Sequence, residues 1–269
     1  MDYSQKNDLE KNRKRRVCEL ALEAGAAQLC NGAEIWRVED TIYHICASYN
    51  VEEIEVFVLS NGILMTGNDE GETFFSISKH IPMAGSNLGM LTDVNSLSRR
   101  IEAGGITVEE AKKELRKIKR KKPKPLLFVN IATGIGSGCF GHMVGANFRE
   151  SLAGGILAFI IMYVMSFMDK MKVPKLIKNI FAGGLVATMA IIEINTRFFV
   201  GQEVDKIIIS AIFPLLQGVS FVNAIRDLTT ADFISGAVKM LDTIMVFMYV
   251  AVGASTILSI YFGIVGGAL

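Results

Sequence analysis

Charge is spread so unevenly along this chain that it fixes the solvent each half must live in. Of the 55 charged residues, 28 Lys and Arg with 27 Asp and Glu, 38 lie in residues 1–125, and the 17 in residues 126–269 cluster in gaps between long apolar runs. The near-neutral balance of +1 therefore conceals two halves and says nothing about partners. A bilayer core takes about 20 mostly apolar residues of helix, with every backbone hydrogen bond satisfied internally. Five stretches meet that demand, near 126–147, 152–168, 176–195, 207–225 and 243–266. The third carries Lys178 and Glu193 and is also readable as a buried interfacial segment. The expected fold is a multi-pass α-helical membrane domain of five transmembrane helices over 123–269, embedded in the lipid bilayer and preceded by a cytosolic α+β domain over 1–122.

Orientation follows from the flanks. MDYSQKNDLEKNRKRR has no apolar run after its basic stretch, which predicts a head without a secretory leader, kept in the cytosol. Lys112 to Lys124 carries nine Lys and Arg, the density expected on the cytoplasmic side of a first span. The same run also suits anionic lipid headgroups. Alternation then places Lys170, Lys172, Lys175, Lys178, Arg226 and Lys239 inside, Arg149, Arg197 and Lys206 outside, and the C-terminus outside. Cys18, Cys30, Cys46 and Cys139 form no CxxC pair or metal spacing and read as reduced, buried small residues.

Within the head, Val17, Leu20, Ala24 and Ala27, and again Ile35, Val38, Ile42 and Ile45, recur at the spacing of amphipathic helices, with Gly32 between them. IEVFVL (54–59) and ILMT (63–66) flank Ser60-Asn61-Gly62, a hairpin signal in which Asn and Gly tolerate positive φ. TFFSIS supplies a third strand, and two helices follow, one near 88–103 and one opened by the Thr107-x-x-Glu110 capping box. Asp69, Glu70 and Glu72 share one turn and His44 and His80 are present, but no metal-ligand or nucleophile–base spacing links them. No catalytic residue, metal or cofactor is expected, and no nucleic-acid partner.

Three phrases carry a family resemblance: GAEIWRVEDTI (32–42), NLGMLTDVNSLSRRIEAGGIT (87–107) and NAIRDLTTADFISG (223–236). Together they resemble the threonine/serine exporter family, and the likeness covers most of the chain. In the head its motif positions are Arg37, Glu39, Asn87, Asn95, Arg99 and Arg100. The resemblance implies a bacterial inner-membrane exporter of threonine and serine or of dicarboxylates such as succinate, with the proton gradient as driving force. Some members fuse this half to a second, roughly four-span half; others supply that half as a separate small subunit. It therefore implies the larger subunit of a two-component exporter, open to higher oligomers, with a small-molecule substrate. The competing reading is a membrane-tethered regulatory or assembly subunit whose partner carries the substrate.

Candidate residues for transport sit in the apolar half. Gly134, Gly138, Gly141 and Gly145 line one face of the first span and admit a second backbone, and Gly183 lies in a similar stripe of the third. Gly136-Ser-Gly138-Cys-Phe-Gly141 matches GxGxxG formally, but no βαβ unit surrounds it. Glu193, roughly 25 Å along its helix, is either a proton-coupling carboxylate or an interfacial residue. Pro214 interrupts the fourth span ahead of Gln217 and Asn223, either as a tolerated kink or as a broken helix lining a polar cavity. Asn130 and His142 are polar candidates on the first span, with a helix–helix hydrogen bond as the plain alternative. Arg226 suits a substrate carboxylate bidentately; equally, it anchors a helix by pairing with a neighbouring Asp such as Asp227.

Overall fold

The computed structural model describes residues 3–69, 72–82, 85–122, 124–196 and 204–265. In chain order its elements are α1 (Tyr3–Cys30), α2 (Ile35–Ser48), β1 (Ile54–Leu59), β2 (Gly62–Asp69), β3 (Glu72–His80), α3 (Leu88–Glu102), α4 (Val108–Lys119), α5 (Leu126–Met143), α6 (Phe148–Lys170), α7 (Lys175–Thr196), α8 (Val204–Ile212), a 3-10 turn (Phe213–Leu215), α9 (Gly218–Thr229) and α10 (Phe233–Val265). They form two compact units, one of Met1–Lys122 with Val219–Met240 and one of Pro123–Gly218 with Leu241–Leu269. Val219–Met240 departs from the expected boundary and packs with the head.

In the head, the apolar stripes of α1 and α2 bury Val17, Leu20, Ala24, Ile35, Val38, Ile42 and Ile45 in one core with Val58, Ile63 and Met65 of the sheet. Each large aliphatic side chain so buried contributes roughly 1.5–3 kcal/mol. The sheet is antiparallel in the order β1-β2-β3. Its first hairpin closes at the Leu59–Gly62 pair, so the loop is Ser60–Asn61, and neither Asn61 nor Gly62 takes positive φ. The expected hairpin is present with a different turn chemistry. A bulge follows Gly67, where a Cβ would meet the Phe74 ring at 2.7 Å. Thr107 and Glu110 form the reciprocal capping box that opens α4, whose Ala111 and Leu115 join the core. Cys18 and Cys46 lie buried side by side in that core, and their hydrogen bonding together with burial pushes the Cys46 thiol above its ordinary range.

Three of the nine cations in the basic run join ion pairs within the head. Lys112 pairs with Glu19 at 3.1 Å, Lys121 with Asp93 at 2.7 Å, and Lys119 with Glu23. Burial raises the Glu23 carboxyl, but hydrogen bonds from Lys119 and Lys79 outweigh it and hold the group at about 2. In the acidic turn Asp69 accepts from Lys14 at 2.7 Å, and Glu70 lies outside the described residues, as does Arg197 of the expected outer loop.

Among the described residues, α5, α6, α7 and α10 are long and apolar enough to cross a membrane, and α8 with α9 makes a fifth span only if that bent pair is counted as one. This revises the expected continuous helix over 207–225. The pair turns through 64°, because Pro214 lacks an N–H and enters the 3-10 turn, after which Leu216 is extended with ψ 128°. Close backbone contact organises the membrane unit. A Cβ on Gly134 would sit 2.9 Å from Gly155 O, and one on Gly138 2.9 Å from Ser151 O, so α5 and α6 cross on their glycines. The crossing of α7 and α10 is tighter: a Cβ on Gly183 would lie 2.1 Å from Val250 O, and one on Gly253 1.9 Å from Ile180 O. Gly145 departs from the expected packing face. It lies beyond α5 with φ +96° and nothing near its Cβ position, so it turns the chain into α6.

Candidate functional site

The α1–α2 turn gathers charged and polar groups from three parts of the chain. Gly32 adopts φ +84°, and a Cβ there would meet Ser86 Oγ at 2.7 Å, so this position requires glycine on both counts. Its carbonyl accepts from Asn223 Nδ2 at 2.8 Å, and the preceding Asn31 carbonyl accepts from the Asn87 N–H at 3.0 Å. Glu34 holds the N-cap position of α2 in extended conformation, yet its side chain makes no capping bond. It is turned instead to Arg226, with which it hydrogen-bonds, and to Arg37 at 3.6 Å.

The cap comes from elsewhere. Asp227, 192 residues away, accepts the Ile35 N–H on Oδ1 at 3.2 Å and the Lys239 ammonium on Oδ2 at 2.7 Å. Lys239 also donates to Ala33 O at 3.3 Å. With 0% of its surface exposed, Asp227 has exchanged water for the backbone N–H of a helix N-terminus and an ammonium. The α9–α10 connection that presents it is closed by Asp232 N–H to Asp227 O at 2.9 Å, and Leu228 packs over Gly236. Arg226 thus pairs with Glu34, whereas the expected neighbour, Asp227, pairs with Lys239. The three phrases that carry the family resemblance meet at this turn.

The remaining motif positions of the head serve nearby structure. Glu39 accepts from the Val58 N–H at 3.2 Å. Burial raises its carboxyl, the Val58 bond opposes this, and the charge of Asp232 adds to the rise. Asn87 caps α3 through Met90 N–H at 3.1 Å, Arg100 pairs with Glu114 at 2.6 Å, Asn95 is half-buried and Arg99 is exposed. His44 lies 3.2 Å from Asp40 and 3.5 Å from Glu102. No group of three or more His, Cys, Asp and Glu suited to a metal occurs among the described residues.

Asn130, His142, Glu193 and Gln217 fall in the membrane unit, so the seven transport candidates divide into two sets. Asn130 on α5 is 1% exposed, and neither its Oδ1 nor its Nδ2 has a hydrogen-bond partner among the described residues. The 3-10 turn at Pro214 packs against the same helix, and Gln217 is half-buried at the break that follows. His142 donates from Nδ1 to Ala146 O at 3.0 Å and lies on an apolar groove of about 610 Å³ between α5 and α6. Glu193 is buried in α7.

Sequence reasoning missed one pair and one further residue. Ser137 Oγ donates to Ser210 O at 2.5 Å and Ser210 Oγ to Ser137 O at 2.8 Å, a reciprocal bridge from α5 to α8 seated in the notch that Gly141 and Gly154 leave open. Glu34 was the other omission; its place before an apolar-periodic helix marked a cap, while its lack of a capping bond shows only in three dimensions.

Comparison with known proteins follows from this geometry. The threonine/serine exporter family model, ThrE, matches residues 19–261. "Threonine/serine exporter" of Corynebacterium glutamicum is 24% identical over 237 residues, covering 85% of this chain and 48% of that protein. "Probable threonine/serine exporter" of Mycobacterium tuberculosis is 18% identical over 242 residues, covering 89% of this chain and 45% of that protein. "Probable succinate transporter subunit YjjP" of Klebsiella aerogenes is 20% identical over 232 residues, covering 86% of this chain and 88% of that protein. The chain thus spans about half the length of the first two relatives and most of the third. No solved structure matches it.

Proposed function

The chain belongs to the threonine/serine exporter family, and from that premise we propose that it is the larger subunit of a two-component exporter of small carboxylate-bearing metabolites. The solute is threonine and serine or a dicarboxylate such as succinate, the chemistries in its relatives' names. A small four-span membrane subunit supplies the other half, a reading supported by the match to most of a relative named as a transporter subunit. The complex sits in the bacterial inner membrane with the head in the cytoplasm, and the proton gradient drives efflux.

One observation supports a solute path through the membrane unit: Asn130 is buried with both amide atoms unpartnered among the described residues. An unpaired buried amide costs about 1–3 kcal/mol, a cost relieved when a polar solute or its water reaches it. The amide can donate to a carboxylate and accept from an ammonium or hydroxyl, matching what amino acids and dicarboxylates share. The helix break at Pro214 packs beside α5, an interruption of the kind at which transporters bind solute, while the carbonyl it frees one turn back, Ser210 O, accepts from Ser137 Oγ. Buried Glu193 is the carboxylate best suited to carry the coupled proton.

The test is efflux of labelled threonine, serine or succinate from proteoliposomes under an imposed proton gradient, with this chain alone and with a co-purified four-span partner. Gradient-dependent efflux with both chains, and none with either alone, is the expected result. Efflux by this chain alone would remove the two-component reading, and none from a confirmed assembly would remove the substrate class.

A further inference from the structure

We propose that Asp227 and Glu34 are positioning residues for export: they hold α9, the second half of the broken helix, on the head, so that the head acts on transport through this junction. The inference rests on the exporter reading above. Its structural basis is the way the chain runs. Val219–Met240 packs with the head, yet both of its ends continue directly into the membrane unit, through Gly218 beside the Pro214 break and through Leu241 within α10. The head therefore grips a segment covalently joined to the membrane helices at each end.

The grip engages most polar atoms of its members, Glu34 Oε2 having only the Arg37 charge at 3.6 Å and no hydrogen bond among the described residues. Asp227 is wholly buried, with one oxygen on the Ile35 N–H and the other on Lys239. Glu34 is buried between Arg226 and Arg37, and Asn223 is spent on Gly32 O. Asp227 supplies the N-terminal cap that α2's own residue leaves unmade. Loss of the α9 contact therefore also uncaps the helix carrying Arg37 and Glu39. Because these acids face backbone and cations of the same chain, a change in them alters how α9 is held without altering a solute's ligands. Turnover and affinity should respond differently.

The experiment uses full-length chain with its partner in proteoliposomes. Efflux kinetics are measured for Asp227→Ala, Arg226→Glu, and Arg226→Glu combined with Glu34→Arg, alongside hydrogen exchange across residues 31–42. Arg226→Glu should lower maximal efflux about tenfold with KM unchanged, and the charge-swapped double variant should recover to within about twofold of wild type. Asp227→Ala should speed amide exchange at the start of α2, a readout independent of transport. If Asp227→Ala fails to assemble, the swapped pair decides. A raised KM with unchanged maximal efflux in Arg226→Glu would make Arg226 a solute ligand and overturn the proposal, as would failure of the swap to recover efflux. Absent wild-type efflux would count against the exporter reading, while exchange would still report whether Asp227 caps α2; unchanged exchange in Asp227→Ala would overturn that cap.

Discussion

The head and the membrane unit solve the same packing problem with opposite materials. In the head, large aliphatic side chains fill one core and several of the charges around it are paired, as with Lys79 and Glu23 at 2.6 Å. In the membrane unit the closest contacts are made by what is missing, with Gly134, Gly155, Gly183 and Gly253 bringing helix backbones together. Water drives the first arrangement, because burying apolar surface is rewarded only where the alternative is aqueous. In lipid that reward is absent, and van der Waals fit and interhelical hydrogen bonds take over. The lesson is that substitutions of similar size should have effects that differ in kind between the two units.

The largest predicted effect is at the α7–α10 crossing. Gly253→Val places side-chain atoms against the Ile180 carbonyl, which has no rotamer with which to yield, and should destabilise the membrane unit by about 3 kcal/mol or more. Detergent unfolding should register this, while Gly136→Ala, with nothing within 4 Å of its Cβ position, should leave the midpoint unchanged or raised. Equal tolerance at both positions would break the contrast between the units.

Next comes the serine bridge. Ser137→Ala should cost about 1 kcal/mol, and a double-mutant cycle with Ser210→Ala should show coupling, since each hydroxyl donates to the other's carbonyl. Additive effects would mean that the bridge contributes no coupling energy.

The smallest effect is electrostatic and belongs to the head. Glu23 has its folded carboxyl depressed to about 2, against about 4.3 in an unfolded chain. Its contribution is therefore present above the unfolded value and is lost as pH falls through the folded one. In thermal melts, wild type should exceed Glu23→Gln by about 2 °C near neutral pH, a small gap because the pair is solvent-screened. That gap should close between about pH 5 and pH 2, and one that widened on acidification would contradict the assignment.

What the sequence discloses follows the range of the interaction. Periodicity over a few turns marks α1 and α2, and Thr107 with Glu110 marks the start of α4, because each signal lies within one element. The Pro214 break is visible for the same reason. The turn at Asn61 differs from the expectation because an Asn-Gly dipeptide permits positive φ without requiring it. The junction at Gly32 was hidden more deeply: Asp227 caps a helix 192 residues away, and no local pattern encodes which acid reaches which N-terminus. Ser137 and Ser210 were invisible in a different way. A helical serine ordinarily bonds the carbonyl one turn back, as Ser166 does to Met162 O at 2.8 Å, and only the Gly141–Gly154 notch lets these two reach across.

The most direct test of the account is the concentration dependence of labelled threonine, serine or succinate efflux through the proposed two-chain exporter carrying Asn130→Leu. Ser137→Ala serves as the packing control on the same helix. If the membrane unit handles solute at the buried amide, the leucine variant should raise KM about tenfold or more while the serine variant leaves KM in place. An unchanged KM in a folded, assembled Asn130→Leu exporter would contradict the account and move the solute path away from α5.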